Sequence, residues 1–164
     1  MTVNEAISKM QATVEAAKER LEGNGFVMSV ETDYMNALLR TVPDHTKAKY
    51  VTVSLVVGKE GGKEGEEYCM SLGAEISKKS VDEARLDKDI ENYGNMVNEA
   101  LETLAEYEDK NEGLDSLTKK ASEEYEKLLA KINEDQKKSR KVTMIINAVF
   151  ISLMVLLFIL TLLK

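Results

Sequence analysis

Few side chains in this 164-residue chain have the types and spacing that chemistry needs. Its single histidine, His45, lies between Asp44 and Thr46, just after Pro43. A histidine beside an acid suggests a general base. Sequence neighbours do not build a triad, however, and no G-x-S-x-G or Cys–His signature is present. His45 therefore reads as a surface residue in a turn. The single cysteine, Cys69, falls on an expected strand with no basic neighbour to lower its pKa, so it reads as an inert thiol. One Cys and one His make a poor metal cage, and Glu64, Glu66 and Glu67 lack ligand spacing. The stretch 58–66, GKEGGKEGE, looks at first like a phosphate loop. Val57 stands where the first Gly is required, Glu64 follows Lys63 where Ser or Thr is required, and the loop's glutamates repel phosphate. It reads as a hairpin connector. No catalytic residue, metal or cofactor is expected, and the chain is not expected to be an enzyme.

Charge and composition narrow the partners. The chain carries a formal charge of −7, and because Lys164 is the one charge after residue 141, residues 1–141 carry −8. An acidic surface repels phosphates, and with no Trp and 5% aromatics a base-stacking platform is not expected, so nucleic acid is not an expected partner. A lone thiol fits a reducing compartment, and the N-terminus has no signal-peptide core.

The longest apolar run is Val142–Leu163, VTMIINAVFISLMVLLFILTLL, free of charge, Pro and Gly. As a helix rising about 1.5 Å per residue it reaches about 33 Å, enough for a hydrocarbon core of roughly 30 Å. Lys137, Lys138, Arg140 and Lys141 precede it and only Lys164 follows. The positive-inside bias therefore places residues 1–141 in the cytoplasm and the C-terminus across the membrane. The four cations are expected to contact anionic headgroups. Within the span, Asn147 wants a hydrogen-bond partner, and Ala148 and Ser152 form a small-x-x-x-small pair. Asn147 and Ser152 are therefore candidate intramembrane contacts. The expected state is a single-pass, tail-anchored membrane protein.

Upstream, the pattern predicts an α+β head over 1–80. Thr2 and Glu5 have capping-box spacing ahead of an apolar stripe from Val3 to Leu21, which Gly23 ends. Phe26–Glu31, Tyr50–Val57 and Glu67–Ile76 read as about three strands of an antiparallel sheet. Residues 33–41 fit either a short helix or a longer strand. Ser80 and Glu83 suggest a second capping box, opening a heptad helix over 81–136 that packs partly on the head. Its seam contains Ile90, Val97, Leu104, Asn111, Leu114, Tyr125, Leu128 and Ile132, with Tyr93 and Tyr107 also at core positions. Gly113 and Asp115 mark a possible helix break, but the heptad keeps phase across them, which favours one continuous or kinked helix. Residues 137–141 form a basic collar and 142–163 the anchor.

This order of head, heptad helix, basic collar and anchor resembles the layout of SNARE membrane-fusion proteins from Leu86 to Leu163. The likeness is one of architecture rather than motif, and Asn111 stands mid-seam where that family carries Gln or Arg. The resemblance implies membrane tethering or fusion through a helical bundle. The expectation from the residues themselves is an oligomerising scaffold or protein-interaction module on the lipid bilayer, binding a second copy or another helical protein. A ligand-binding or enzymatic head with a pocket beneath the 58–66 loop is the alternative.

Overall fold

A computed structural model describes residues 1–62 and 67–162, with side chains described as far as Lys138. The chain divides into two compact units, Met1–Lys120 and Ala121–Lys164. The first contains helix α1 (Val3–Leu21), strands β1 (Val27–Met35), β2 (Tyr50–Gly58), β3 (Tyr68–Ser77) and β4 (Ser80–Val81), helix α2 (Glu83–Ala105), and the start of helix α3 (Lys110–Leu162).

Local chemistry explains the first helix. Thr2 Oγ1 accepts from the Glu5 N–H at 3.3 Å, and the Glu5 carboxylate accepts from the Thr2 N–H at 2.8 Å. Two of the free amides at the helix start are thus satisfied reciprocally. Thr2→Ala is expected to lower the unit's stability by about 1 kcal/mol in a urea titration at neutral pH. The hydrogen bonds from Thr2 hold the Glu5 carboxyl below its usual pKa. A depressed folded value means that the carboxylate's contribution is present above the unfolded pKa and is lost as pH falls through the folded one. The penalty for Thr2→Ala should therefore shrink in acid.

The sheet is antiparallel, in the order β1-β2-β3-β4. In β2, Val51, Val53, Leu55 and Val57 are fully buried against α1, and the register places Val30 and Met70 beside Leu55. Period-two alternation therefore gives one covered face and one carrying Ser29, Glu31, Ser54, Ser71 and Gly73. On that second face the Ser54 and Ser71 hydroxyls pair at 2.9 Å. Residues 33–35 extend β1 rather than starting a helix, and Asn36 closes the tip by accepting from the Leu38 and Arg40 amides. Leu38 and Leu39 are exposed there.

The expected sheet of about three strands gains a short fourth. Ser80 does not cap a helix. It pairs with Ser77 across a two-residue turn whose Lys78 and Lys79 both have positive φ, the geometry of a type I′ hairpin. Asp82 caps α2 instead, accepting from the Arg85 N–H at 3.2 Å.

The expected uninterrupted heptad helix is two helices, separated at residues 106–109. Asp109 supplies the reason, since its carboxylate accepts from the Asn111 N–H at 2.8 Å and so caps α3. Lys110 Nζ donates to the Leu104 and Tyr107 carbonyls at 2.8 and 3.0 Å, satisfying groups freed at the end of α2. Gly113, where the sequence suggested a break, lies inside α3. It allows a close approach, because a Cβ there would sit 3.1 Å from Leu104 Cδ2 and 3.5 Å from Leu104 Cα. Gly113→Val is expected to cost about 1–3 kcal/mol through overpacking, seen as a lower urea midpoint. The contact brings Leu114 and Leu117 into the core, and Lys59 pairs with Asp115 at 2.6 Å.

In the second unit, α3 is helical to Leu162. Among the described residues no helix is long and apolar enough to cross a membrane. The expected span at 142–163 lies outside the residues whose side chains are described.

Candidate interaction surface

The residues with chemical potential stay apart. His45 stacks obliquely near Tyr34, with ring centroids 6.2 Å apart. Asp44 does not orient it. Its carboxylate accepts from the Thr46 hydroxyl and from the Thr46 N–H, which hold the carboxyl below its usual pKa. Cys69 is exposed, with Sγ 3.4 Å from Ser71 Oγ. Among the described residues no group of three or more His, Cys, Asp or Glu is placed to hold a metal. Glu64 and Glu66 lie outside them.

A cleft of about 470 Å³ opens between the uncovered sheet face and the start of α2. Its charged lining is internally paired: Glu75 lies 3.9 Å from Arg85 and 3.5 Å from Lys49, and Arg85 lies 4.0 Å from Asp89. A second cleft of about 420 Å³ gathers Asn4, His45, Lys78 and Lys79. Neither places a nucleophile beside a base.

The seam residues divide into two groups. Val97, Leu104 and Leu114 are buried in the core of their own chain, and Ile90 is half-buried against it. Asn111 is exposed, in the first turn of α3. Further along α3, Tyr125, Leu128 and Ile132 are 62%, 54% and 43% exposed, with Leu129 beside them at 41%. Their spacing of three and four puts Tyr125, Leu128 and Ile132 on one helical stripe. Lys137 and Lys138 follow, exposed, and Lys138 pairs with Glu134 at 2.9 Å. Arg140, Lys141, Asn147 and Ser152 lie outside the residues whose side chains are described.

One feature escaped the sequence. Tyr93 is buried, and its phenol oxygen has no hydrogen-bond partner among the described residues. Burial, with smaller contributions from Cys69 and Tyr68, pushes its pKa up, so it stays a neutral donor. Its heptad position predicted burial but said nothing of the polar tip. Comparisons with protein-family models, with characterised proteins and with solved structures give no match.

Proposed function

We propose that the chain is a single-pass, membrane-held interaction protein that self-associates through α3 and has no catalytic role. The observation that carries this reading is the exposed stripe of Tyr125, Leu128 and Ile132, which lies beyond the last core residue of the head, Leu117. Large apolar side chains in heptad spacing on a helix surface fit coiled-coil pairing. With Ile132 and Tyr125 at one seam position and Leu128 at the other, the β-branched Ile and the Leu fall where parallel dimers prefer them. The apolar sequence 142–163 and the basic residues before it support anchoring with residues 1–141 cytoplasmic. In this reading Lys137, Lys138, Arg140 and Lys141 contact headgroups, and Asn147 and Ser152 add an intramembrane contact.

The fusion-protein layout is less favoured. It needs one seam from Leu86 onward, whereas α2 and α3 are separate helices and the head uses Val97, Leu104 and Leu114. Sedimentation of the full chain in density-matched detergent tests the proposal. A concentration-dependent dimer or larger oligomer is expected. A strict monomer up to high micromolar concentration would remove the self-association reading. Extraction of membranes at alkaline pH tests the anchor separately, with full-length chain expected to stay in the pellet.

A further inference from the structure

Two leucines stand in the open at one end of the sheet. Among the described residues of the first unit, Leu38 and Leu39 are the most exposed large apolar side chains, at 73% and 68%. They occupy the turn that follows β1, and hydrogen bonds close that turn. The Asn36 N–H donates to the Arg40 carbonyl at 3.0 Å, and the Asn36 carbonyl accepts from the Leu39 N–H at 2.9 Å. The Asn36 side chain takes the Leu38 and Arg40 amides, so the backbone is satisfied from within. Leu39 is held there at φ 56°, a left-handed conformation that Gly or Asn adopts at less cost. A turn that only reversed the chain would gain nothing from leucine at that position. An outlier held in place by its surroundings points to a working segment.

The charge beside the turn is positive. Loops 36–49 and 78–79 leave the same end of the sheet, since β1 ends opposite Tyr50 and β3 ends at Ser77. They adjoin, because Leu39 and Ser77 line one cleft while His45, Lys78 and Lys79 line another. Together they carry Arg40, Lys47, Lys49, Lys78 and Lys79 against one acid, Asp44. The acids of the adjoining elements are mostly engaged: Asp44 by Thr46, Glu5 by Thr2, Glu75 by Lys49 and Arg85, and Asp82 by the Arg85 N–H. Asp33 and Glu83 remain. Against them Arg40, Lys47, Lys78 and Lys79 make no ion pair among the described residues. The loop after β2 contrasts, since the sequence 58–67 holds four Glu and two Lys.

We propose that the 36–40 turn and the cations beside it dock the head on an anionic lipid surface, a membrane contact separate from 137–163. Leu38 and Leu39 enter the boundary between headgroups and acyl chains, where apolar burial and attraction to anionic lipid add together. The long stems of Arg40, Lys78 and Lys79 let their charges stay at headgroup level. The choice of a bilayer over a protein groove rests on the membrane-held reading. The docking is independent of self-association through α3.

The test uses the full chain with Cys69→Ser and Ala37→Cys, labelled at residue 37 with an environment-sensitive fluorophore. It is reconstituted into liposomes, which offer both the chain's own bilayer and neighbouring ones. With phosphatidylserine present, a blue shift and protection from iodide are expected, with far less in phosphatidylcholine alone. The shift should weaken in about 1 M salt, where charges are screened beyond about 3 Å. The same label at Glu60→Cys should report water in both lipids. Leu38→Ser with Leu39→Asn should abolish the shift and leave the urea midpoint unchanged or higher, because Asn suits the left-handed turn. Arg40→Gln with Lys78→Gln and Lys79→Gln should raise the phosphatidylserine fraction needed for half the shift at least about twofold. These three make no ion pair, so this variant keeps the test decisive if the leucine pair is needed for folding. No shift with phosphatidylserine, an equal shift in phosphatidylcholine alone, or a shift that survives loss of both leucines would overturn the inference. Failure of the anchor reads out differently, as chain that separates from phosphatidylcholine liposomes on flotation.

Discussion

Leu55→Ala is expected to cost the first unit about 2–5 kcal/mol, the range for emptying a large aliphatic site in a packed core. Leu55 is fully buried at the middle of the central strand, flanked in register by Val30 and Met70 and covered by α1. The sheet is rigid there, with pairing on both sides, so little relaxation can fill the void. Domains of this size have roughly 5–15 kcal/mol in total, so at mid-range values about a third of the stability should vanish. With no Trp, the transition is best followed by near-ultraviolet dichroism of tyrosines. The urea midpoint should fall with the slope unchanged. A shift below about 1 kcal/mol would mean that the covered face of the sheet is not the core of the unit.

Leu128→Glu combined with Ile132→Glu is expected to weaken self-association at least about 100-fold. Burying one such side chain stabilises by about 1.5–3 kcal/mol, and about 1.4 kcal/mol is a factor of ten. Both copies lose two apolar residues and gain facing carboxylates. Glu is a good helix former, so α3 itself should persist. The head should be untouched, because its contacts with α3, through Gly113, Leu114, Asp115 and Leu117, lie N-terminal to both substitutions. Ala130→Glu, two residues from Leu128 and off the stripe, serves as the control and should leave sedimentation unchanged. Equal weakening by the control would point to general charge repulsion rather than to a seam.

Much of the fold was legible because its signals are local. The Thr2–Glu5 box, the α1 stripe and the alternation in Tyr50–Val57 each depend on a few neighbouring residues, and all appear as read. The break between α2 and α3 was not legible. A heptad records which residues are apolar, not which partner covers them. Val97, Leu104 and Leu114 keep the phase of the later seam while serving a different surface. The Asp109 cap and the Lys110 contacts with α2 carbonyls decide the turn, and neither has a strong sequence signature. Ser80 misled for a related reason. Ser with Glu three residues on fits a capping box, but pairing with Ser77 claims Ser80 and leaves Asp82 to cap the helix. The orphaned Tyr93 phenol is a tertiary property, which a heptad position does not record.

The self-association of α3 is tested most directly by disulfide formation in a bilayer. Cys69 is the only native cysteine, so Cys69→Ser provides a clean background for Leu128→Cys or Ala130→Cys in the full-length chain. After reconstitution into liposomes and mild oxidation, a paired stripe should give a crosslinked dimer from position 128 and little from position 130. Equal crosslinking at both positions, or none at 128, would contradict the seam.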